Sequence, residues 1–418
     1  GRGGVMDGAG VLHIRSAVSE QDRAVVQALL QDGFEVRPGV GTAFARLYEQ
    51  VVMQDARVIS NGSRVALLGE RIVGHTLLVP RFFYLDGVWV PGGIVAMVVV
   101  AQDVRAQGIG RALLQDVEAL ARKEGMMMLH LAGDIGYYRR LGYVEGYVQA
   151  RGELEIQGSG LGALRPARKT DVQDLVRLAG HETPVGAVRP DAERWAWVLD
   201  TRYPADLLRV NDLLLGFCAG EDHCWVFEEA GEVQGYARAC RGEGQWAIYE
   251  AGVLDDDRAE GMLEAMGGEL GDGPLTLFLP PDNRVMQAVV RAGGKVNVQS
   301  DPELLVKLLD IPGVLNLLQP VLNRRLTGVN TLNGVALYME QGGLVMDQDG
   351  VRLAKALEIE SVEWKVSLPD MGWARAILGT DRLGDRVRDG GEVDRDVLEL
   401  FDALFPEQTP YFWLADSL

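Results

Sequence analysis

Cysteine and positive charge are both scarce in this chain of 418 residues. Its three cysteines, Cys218, Cys224 and Cys240, cannot all pair, and no C-x-x-C motif occurs. A disulfide scaffold is therefore not expected. We expect reduced thiols in a cytoplasmic protein. Lysine and arginine total 41 against 60 aspartates and glutamates, which gives a net charge of −19. Because so acidic a chain repels phosphate backbones, nucleic acid is not an expected partner.

Long apolar runs and metal-ligand spacings are missing as well. No run of 18 apolar residues occurs, so we predict no membrane insertion. His223 and Cys224 follow Cys218 at a spacing that fits no zinc pattern, and no metal is predicted. Residues 1–10 are rich in glycine and are expected to be a disordered leader, with Met6 as an alternative start.

An apolar strand, a glycine turn and a helix follow one another between residues 95 and 123. Val95–Val100 contains six apolar residues, mostly valine, which predicts a buried strand. The turn that follows contains Gly108 and Gly110 and leads into apolar residues at helical spacing. Such a turn directs several backbone N–H groups at one point, which suits a phosphate or pyrophosphate. The plainer alternative is a glycine turn that only packs the helix on the strand.

Two nucleotide motifs are excluded at this turn. The dinucleotide fingerprint needs a third glycine, but position 113 is Leu113, and the P-loop needs Lys-Ser/Thr where Arg111 and an alanine follow Gly110. What remains is R-x-x-G-x-G from Arg105, with the segment Tyr137–Tyr143 (YYRRLGY) further along. In this order the motifs resemble the acetyl-CoA site of the GNAT N-acetyltransferases.

An internal repeat organises the first 300 residues. Three landmarks recur in the same order: Arg15 as Arg165, Gly69 as Gly231, and Arg105 as Arg258. The offset is 150 residues for the first pair and 153 for the last, which predicts a duplicated domain rather than a solenoid. In the first copy a helix is expected to begin near Ser19, with Asp22 placed for a capping box.

The second copy is expected to be chemically inactive. Glu260, Leu263 and Glu264 stand where the first copy has Gln107, Gly110 and Arg111. Three aspartates, residues 255–257, lie just upstream and would repel a pyrophosphate. No tyrosine precedes Gly293 as Tyr138 precedes Gly142.

After residue 300 the pattern changes to a small α+β unit without a catalytic constellation. Strands are expected near residues 303–309, 334–340, 343–347, 351–355 and 362–367, and helices over 313–326, 372–379 and 394–405.

The whole arrangement predicts an α/β (α+β) protein: two tandem GNAT folds, the second degenerate, followed by an α+β domain that resembles sterol carrier proteins. The expected limits are 1–150 for the catalytic domain, 151–299 for the degenerate one and 300–418 for the third. This order resembles the Eis (enhanced intracellular survival) family of GNAT N-acetyltransferases. The resemblance implies acetyl-CoA as cosubstrate and a homo-oligomer, by family analogy a hexamer.

The resemblance also implies roles for particular residues. The pantetheine arm would pair with the strand at Val98, Val99 and Val100. The pyrophosphate would lie on the turn formed by Arg105, Ala106, Gln107, Gly108, Ile109, Gly110 and Arg111, and Gly133 and Asp134 would also touch the cofactor. The proton donor would be Tyr138 and the proton acceptor the terminal carboxylate of Leu418, where family members more often end in Phe.

Several of these roles have rivals in the residues themselves. Tyr137 or Tyr143 competes with Tyr138 as the acid, or all three only pack. For the base, the competitors are Asp416, Asp134, Glu145 and, through water, His130, although alternation with leucines favours a strand residue with satisfied hydrogen bonds for His130. Asp32 and Glu35 follow the first helix and either bind the acceptor's ammonium group or form a solvated loop.

The predicted function is acetyl transfer from acetyl-CoA to amines of a small polycation, such as an aminoglycoside or polyamine, by direct attack in a ternary complex. The net charge of −19 would attract such an acceptor. One alternative keeps the chemistry but acetylates protein lysines or N-termini. The other is a non-enzymatic CoA- or lipid-sensing module.

Overall fold

The computed structural model describes residues 11–157, 164–201, 221–242, 245–329, 334–384, 393–413 and 416. Within these residues the strands form two seven-stranded sheets and one four-stranded sheet. None of the helices in this part of the chain is long and apolar enough to cross a membrane. The predicted leader, residues 1–10, lies outside the described residues.

The N-terminal part contributes six strands and four helices. They are β1 (Leu12–Ser16), α1 (Glu20–Gly33), α2 (Val40–Gln54), β2 (Ser63–Leu68), β3 (Arg71–Leu85), β4 (Val88–Val100), α3 (Ile109–Lys123), β5 (Met128–Ala132), α4 (Ile135–Tyr138) and β6 (Val144–Glu145). The predicted strand at 95–100 is the second half of β4, whose β-branched valines suit a buried strand.

The middle part repeats this pattern, and a smaller unit follows. The middle elements are β7 (Val148–Ile156), β8 (Leu164–Pro166), α5 (Val172–His181), α6 (Ala192–Asp200), β9 (Glu221–Glu229), β10 (Glu232–Gly242), β11 (Gln245–Val253), α7 (Asp256–Leu270), β12 (Gly273–Leu277), α8 (Arg284–Arg291) and β13 (Lys295–Ser300). The last are β14 (Leu304–Leu308), α9 (Ile311–Leu326), β15 (Val335–Met339), β16 (Gly342–Asp347), β17 (Gly350–Ala354), α10 (Ala356–Glu360), β18 (Trp364–Ser367), α11 (Asp370–Leu378) and α12 (Arg395–Leu404).

The two large sheets have the same strand order and exchange one strand each. The first runs β1-β2-β3-β4-β5-β14-β6 and the second β8-β9-β10-β11-β12-β7-β13. In each, the sixth strand is antiparallel to both neighbours and comes from the other half of the chain. The expected limits at residues 150 and 299 are therefore not sheet boundaries. An apolar strand such as β14 must be buried, but its sequence does not say beside which partner.

The first pair of repeated landmarks, Arg15 and Arg165, occupies equivalent places in the two halves. The Arg15 guanidinium lies 2.7 Å from the Asp22 carboxylate, and Arg165 lies 2.8 Å from Asp171. Each pair joins the first strand of its half to the helical segment that follows. Ser19 caps α1 in the predicted capping box with Asp22.

Replacing Asp22 by asparagine is expected to lower the free energy of unfolding by about 1–2 kcal/mol at pH 7. The Arg15 guanidinium and two backbone N–H groups hold the pKa of Asp22 well below its usual range. A lowered carboxyl pKa stabilises the fold above pH 4, and this contribution is lost as the pH falls. Urea unfolding of Asp22→Asn and of the matched Asp171→Asn variant checks this. The loss in free energy of unfolding relative to the unaltered protein should become smaller below pH 4. A deficit independent of pH would contradict it.

The four-stranded sheet has the order β17-β16-β15-β18. Its strands lie within two residues of the expected ranges, because glycine turns separate them clearly. The three helices expected after residue 310 are present as α9, α11 and α12. The expected strand at 303–309 is also present, but as β14 it belongs to the first sheet rather than to this unit.

Candidate active site

Strands β4 and β5 separate in the middle of the first sheet. Their parallel pairing joins Gly92–Ile94 to Met128–His130, and both strands, which are described in full, pair no further with each other. From Val95 to Val100, β4 keeps its pairing with β3. Its other edge opens toward β5, so backbone N–H and C=O groups are available there for an extended, amide-bearing ligand. The predicted pantetheine strand, Val98–Val100, lies on this open edge.

A β-bulge interrupts β4 at the start of this open segment. Leu77 pairs with Ala96 and His75 with Val99, so Met97 and Val98 together face the single residue Thr76. Met97 has a φ of 54°, in the left-handed region that residues with a side chain rarely adopt. Such strain persists only where the surroundings enforce it, and it concentrates at functional sites.

The glycine turn connects the open strand to the N-terminus of α3. Gly108 has a φ of 81° and is the residue before the helix, and Ala106 also has a positive φ, 62°. Alternating left-handed residues at a helix N-terminus gather backbone N–H groups into a concave anion site. The Arg105 side chain donates to the Val100 carbonyl oxygen over 3.1 Å, and Arg105 and Arg111 are both exposed. The turn can therefore hold a diphosphate at the end of the open strand.

Tyr138 lies on the short helix α4, which follows β5. A side chain at Gly133 would come within 2.5 Å of the Tyr138 ring, so the glycine permits the ring's position. Burial, reinforced by the nearby Tyr137 and Asp134, raises the pKa of Tyr138 to about 12. The phenol therefore keeps its proton at neutral pH, as a general acid must.

The two rival tyrosines lie in different surroundings. The Tyr137 hydroxyl lies 3.0 Å from where a Cβ on Gly110 would be, and its side chain is exposed. This contact brings α4 against the N-terminus of α3. Tyr143 is fully buried in the core on the α3 face of the sheet, and burial raises its pKa well above the ordinary value. Tyr143 is thus placed for packing.

The competing bases are differently engaged. Asp134 caps α4 by accepting the Gly136 N–H over 2.8 Å, and Glu145 accepts from Arg139 over 2.9 Å. Asp416 is buried and accepts from Arg194 of α6 over 2.8 Å. Leu418, which is the base that the family resemblance implies, lies outside the described residues.

His130 is at the last paired position before β4 and β5 separate. It alternates with two buried leucines as expected, but neither of its ring nitrogens has a hydrogen-bond partner among the described residues. Burial lowers its pKa to about 3, so it is neutral at pH 7. Its ring stacks on Phe412, with centroids 3.8 Å apart. Phe412 of the C-terminal segment therefore packs at the position where the pairing of β4 with β5 ends.

Of the two acidic residues expected after the first helix, Asp32 lies in the last turn of α1, which continues to Gly33, and only Glu35 follows the helix. The Glu35 carboxylate accepts the backbone N–H groups of Gly39 and Gly41, each over 2.7 Å. It thereby caps α2, whose N-terminus would otherwise leave these donors unpaired. Asp32 is exposed. Glu35 is therefore committed to holding the loop between α1 and α2 rather than to an acceptor's ammonium group.

The middle unit lacks the equivalent turn. α7 begins at Asp256, so Arg258 lies inside the helix, whereas Arg105 precedes α3. The Asp255 carboxylate accepts the Arg258 N–H over 3.0 Å and so occupies the helix N-terminus. The Asn283 side chain donates to the carbonyl oxygen of Ala251 over 3.0 Å, on β11, where the corresponding strand of the first sheet is open.

The model of the acetyltransferase (GNAT) domain family matches residues 60–145, which span β2 to β6. The chain carries a GNAT acetyltransferase domain. A chain with this domain is an acetyltransferase enzyme. The open strand, the turn and Tyr138 all lie within the matched residues. No curated protein sequence matches the chain.

Solved structures resemble this GNAT protein over nearly its whole length. A GCN5-related N-acetyltransferase from Kribbella flavida is 18% identical, with a TM-score of 0.67 over 96% of this chain and 99% of the other. One from Anabaena variabilis is 13% identical, with a TM-score of 0.69 over 96% and 99%. Eis1 from Mycobacterium abscessus is 15% identical, with a TM-score of 0.63 over 97% and 99%. At these identities the likeness is one of fold.

Sequence reasoning missed two features of the GNAT site. One is the bulge at Met97, whose carbonyl oxygen forms a hydrogen bond with His75 on β3. A polar histidine within the apolar strand β3 was the signal that could have pointed to it. The other is the stacking of Phe412 on His130, for which the sequence offered only the aromatic run at 411–413.

Proposed function

We propose that the protein transfers acetyl groups from acetyl-CoA to amines of a small polycationic acceptor, such as an aminoglycoside or polyamine. One observation carries the proposal. The open edge of β4 leads into the left-handed turn at the N-terminus of α3, and α4, which carries the phenol of Tyr138, contacts this turn through Tyr137. In acetyl-CoA the thioester lies at one end of the pantetheine arm and the diphosphate at the other, so the arm would lie along the open edge, the diphosphate on the turn and the thioester within reach of the phenol.

In the proposed mechanism the acceptor's neutral amine attacks the thioester carbonyl directly. Val98, Val99 and Val100 hold the pantetheine arm, and the turn at residues 105–111 holds the diphosphate, with Gly133 and Asp134 beside the cofactor. As the C–S bond breaks, the Tyr138 hydroxyl gives its proton to the thiolate. The amine's proton passes to the carboxylate of Leu418. No protein nucleophile is needed, because orientation in the ternary complex supplies the proximity.

The acceptor class is tested by measuring thiol release with a panel of amines. Polyamines and aminoglycosides should outperform lysine peptides and intact proteins, and rising ionic strength should weaken the preference, because a chain of net charge −19 attracts cations through space. Faster acetylation of peptides or protein N-termini would favour the alternative acceptor class. CoA binding without any acetyl transfer would favour a sensing role.

The middle unit is proposed to be a degenerate GNAT copy that binds no cofactor. The shared strand order supports duplication, and the aspartates at the start of α7 support inactivity. Calorimetry should therefore give one CoA per chain. Arg258→Glu should leave CoA affinity unchanged, since Arg258 pairs with Asp255 at 2.6 Å, whereas the matched Arg105→Glu should weaken it. A second equivalent of CoA would contradict this reading.

The C-terminal unit is proposed to be a sterol-carrier-like domain. Its support is the sequence order of four strands and flanking helices after residue 310. Membership of the Eis-like group, a homo-oligomeric (hexameric) state and a cytoplasmic location are proposed on the same family resemblance.

A further inference from the structure

The bulge in β4 is joined to a buried row of three polar side chains. His75 on β3 is fully buried, and its Nδ1 lies 3.0 Å from the carbonyl oxygen of Met97. Its Nε2 lies 3.0 Å from Ser63 Oγ, and Ser63 Oγ lies 2.9 Å from the hydroxyl of Tyr48 on α2. We call Tyr48, Ser63 and His75 the polar row. It extends from α2 through β2 and β3 to the bulge.

The direction of these hydrogen bonds follows from the atoms involved. A carbonyl oxygen can only accept, so His75 Nδ1 carries the proton and donates to Met97. The Nε2 of a neutral ring is then an acceptor. It accepts a hydrogen bond from the Ser63 hydroxyl, and Ser63 Oγ in turn accepts a hydrogen bond from the Tyr48 hydroxyl. Burial lowers the pKa of His75 to about 4, so the ring is neutral at pH 7. Each polar atom in the row therefore has a partner.

The polar row ends on the strained residue of the cofactor strand. Met97 needs a φ of 54°, and a residue with a side chain adopts that conformation only when its surroundings enforce it. A donor fixed on the Met97 carbonyl specifies which way that peptide group points. The next residue, Val98, is the first of the three that face the pantetheine arm in the proposed function.

We propose that His75 is a positioning residue for acetyl transfer, which fixes the Met97 bulge through its Nδ1–H and is itself oriented by Ser63 and Tyr48. The inference rests on the proposed function, because it assumes that the thioester lies along β4. By holding one peptide orientation at the bulge, the polar row keeps the open edge of β4 in the geometry that the acetyl group needs.

A matched pair of variants separates this role from packing. In His75→Asn the side-chain amide nitrogen stands near the position of Nδ1 and can still donate to Met97. In His75→Gln it stands near the position of Nε2 and reaches Ser63 instead. Each variant loses one of the two hydrogen bonds, but glutamine is closer to histidine in volume. If His75 acted only through packing, His75→Gln would retain a higher kcat than His75→Asn. If His75 positions Met97, His75→Asn retains the higher kcat.

The expected result is a loss of kcat without a loss of cofactor affinity. His75→Gln should lower kcat about tenfold, and His75→Asn by no more than about threefold, since one hydrogen bond at a buried group separates them. CoA affinity by calorimetry should stay within about twofold in both, because the diphosphate turn is untouched. Ser63→Ala, which keeps the imidazole, should lower kcat about threefold with the same unchanged affinity.

Amide hydrogen exchange over residues 95–100 gives a readout that does not depend on turnover. Faster exchange is expected in His75→Gln than in His75→Asn, with both still folded. Equal kcat and equal exchange in the two variants, or a ranking that follows volume, would overturn the positioning role. Absence of CoA binding and of thiol release in the unaltered protein would instead overturn the proposed function, and the exchange measurement would still decide whether His75 holds the bulge.

Discussion

Replacing Tyr138 by phenylalanine is expected to lower kcat by about two to three powers of ten while leaving CoA affinity nearly unchanged. In the proposed mechanism the substitution removes the proton that the leaving thiolate receives, but it keeps the ring that packs beside Gly133. Because burial holds the pKa of Tyr138 at about 12, deprotonation of this phenol should not reduce activity between pH 7 and pH 10. Steady-state kinetics together with calorimetry check both parts.

Two neighbouring tyrosines serve as controls for this result. Tyr143→Phe removes a buried hydroxyl that has no hydrogen-bond partner among the described residues, so activity should persist and stability should not fall. Tyr137→Phe removes the hydroxyl that lies beside Gly110. A larger loss of kcat in Tyr137→Phe than in Tyr138→Phe would make Tyr137 the acid. Loss of CoA binding in Tyr138→Phe would make Tyr138 structural.

Replacing Gly108 by aspartate is expected to weaken CoA binding by at least about tenfold, because a carboxylate close to the diphosphate costs about 1–4 kcal/mol depending on solvent exposure. Gly108→Asn has the same shape without the charge, and asparagine tolerates the left-handed conformation that φ of 81° requires. The difference between the two variants, measured by calorimetry at low and high salt, therefore isolates the charge.

A second control removes the concern that aspartate only strains the backbone. Gly39 precedes α2 with a φ of 86°, and a Cβ there, as at Gly108, meets nothing within 4 Å. Gly39→Asp should thus show similar strain but unchanged CoA affinity. If Gly108→Asn and Gly108→Asp weaken CoA binding equally, the turn acts through its shape alone, and repulsion between the carboxylate and the diphosphate is excluded as the cause.

Much of the candidate site was predictable because its signals are local. A run of valines, a glycine turn and a 3.6-residue apolar period need no distant partner, and β4, the turn and α3 lie where they indicate. The strands after residue 334 were predictable for the same reason. The partner of β14 was not, since an apolar strand specifies burial but not the neighbour it pairs with.

Other features depend on three-dimensional geometry that cannot be read from the amino-acid sequence. Nothing in the valine-rich run of β4 marks Met97 as the residue of the bulge, because the extra residue appears only when β4 is paired with β3. The sequence alignment of Arg258 with Arg105 did not show that the two helices begin at different places. α7 begins before Arg258, whereas α3 begins after Arg105, because Asp255 is a better helix N-cap than any residue of the glycine turn at 105–111. Glu35 was recognised as acidic but not as the cap of α2.

The exchanged strands also constrain how the protein is made. The first sheet lacks β14 until the ribosome has synthesised residues 304–308, so the N-terminal half cannot complete its hydrogen-bonded ladder while it alone has emerged. Until then β5 and β6 present unpaired edges that other nascent chains can join. Fragments that end or begin near residue 150 or 299 should accordingly aggregate when produced alone and recover when the missing piece is co-expressed.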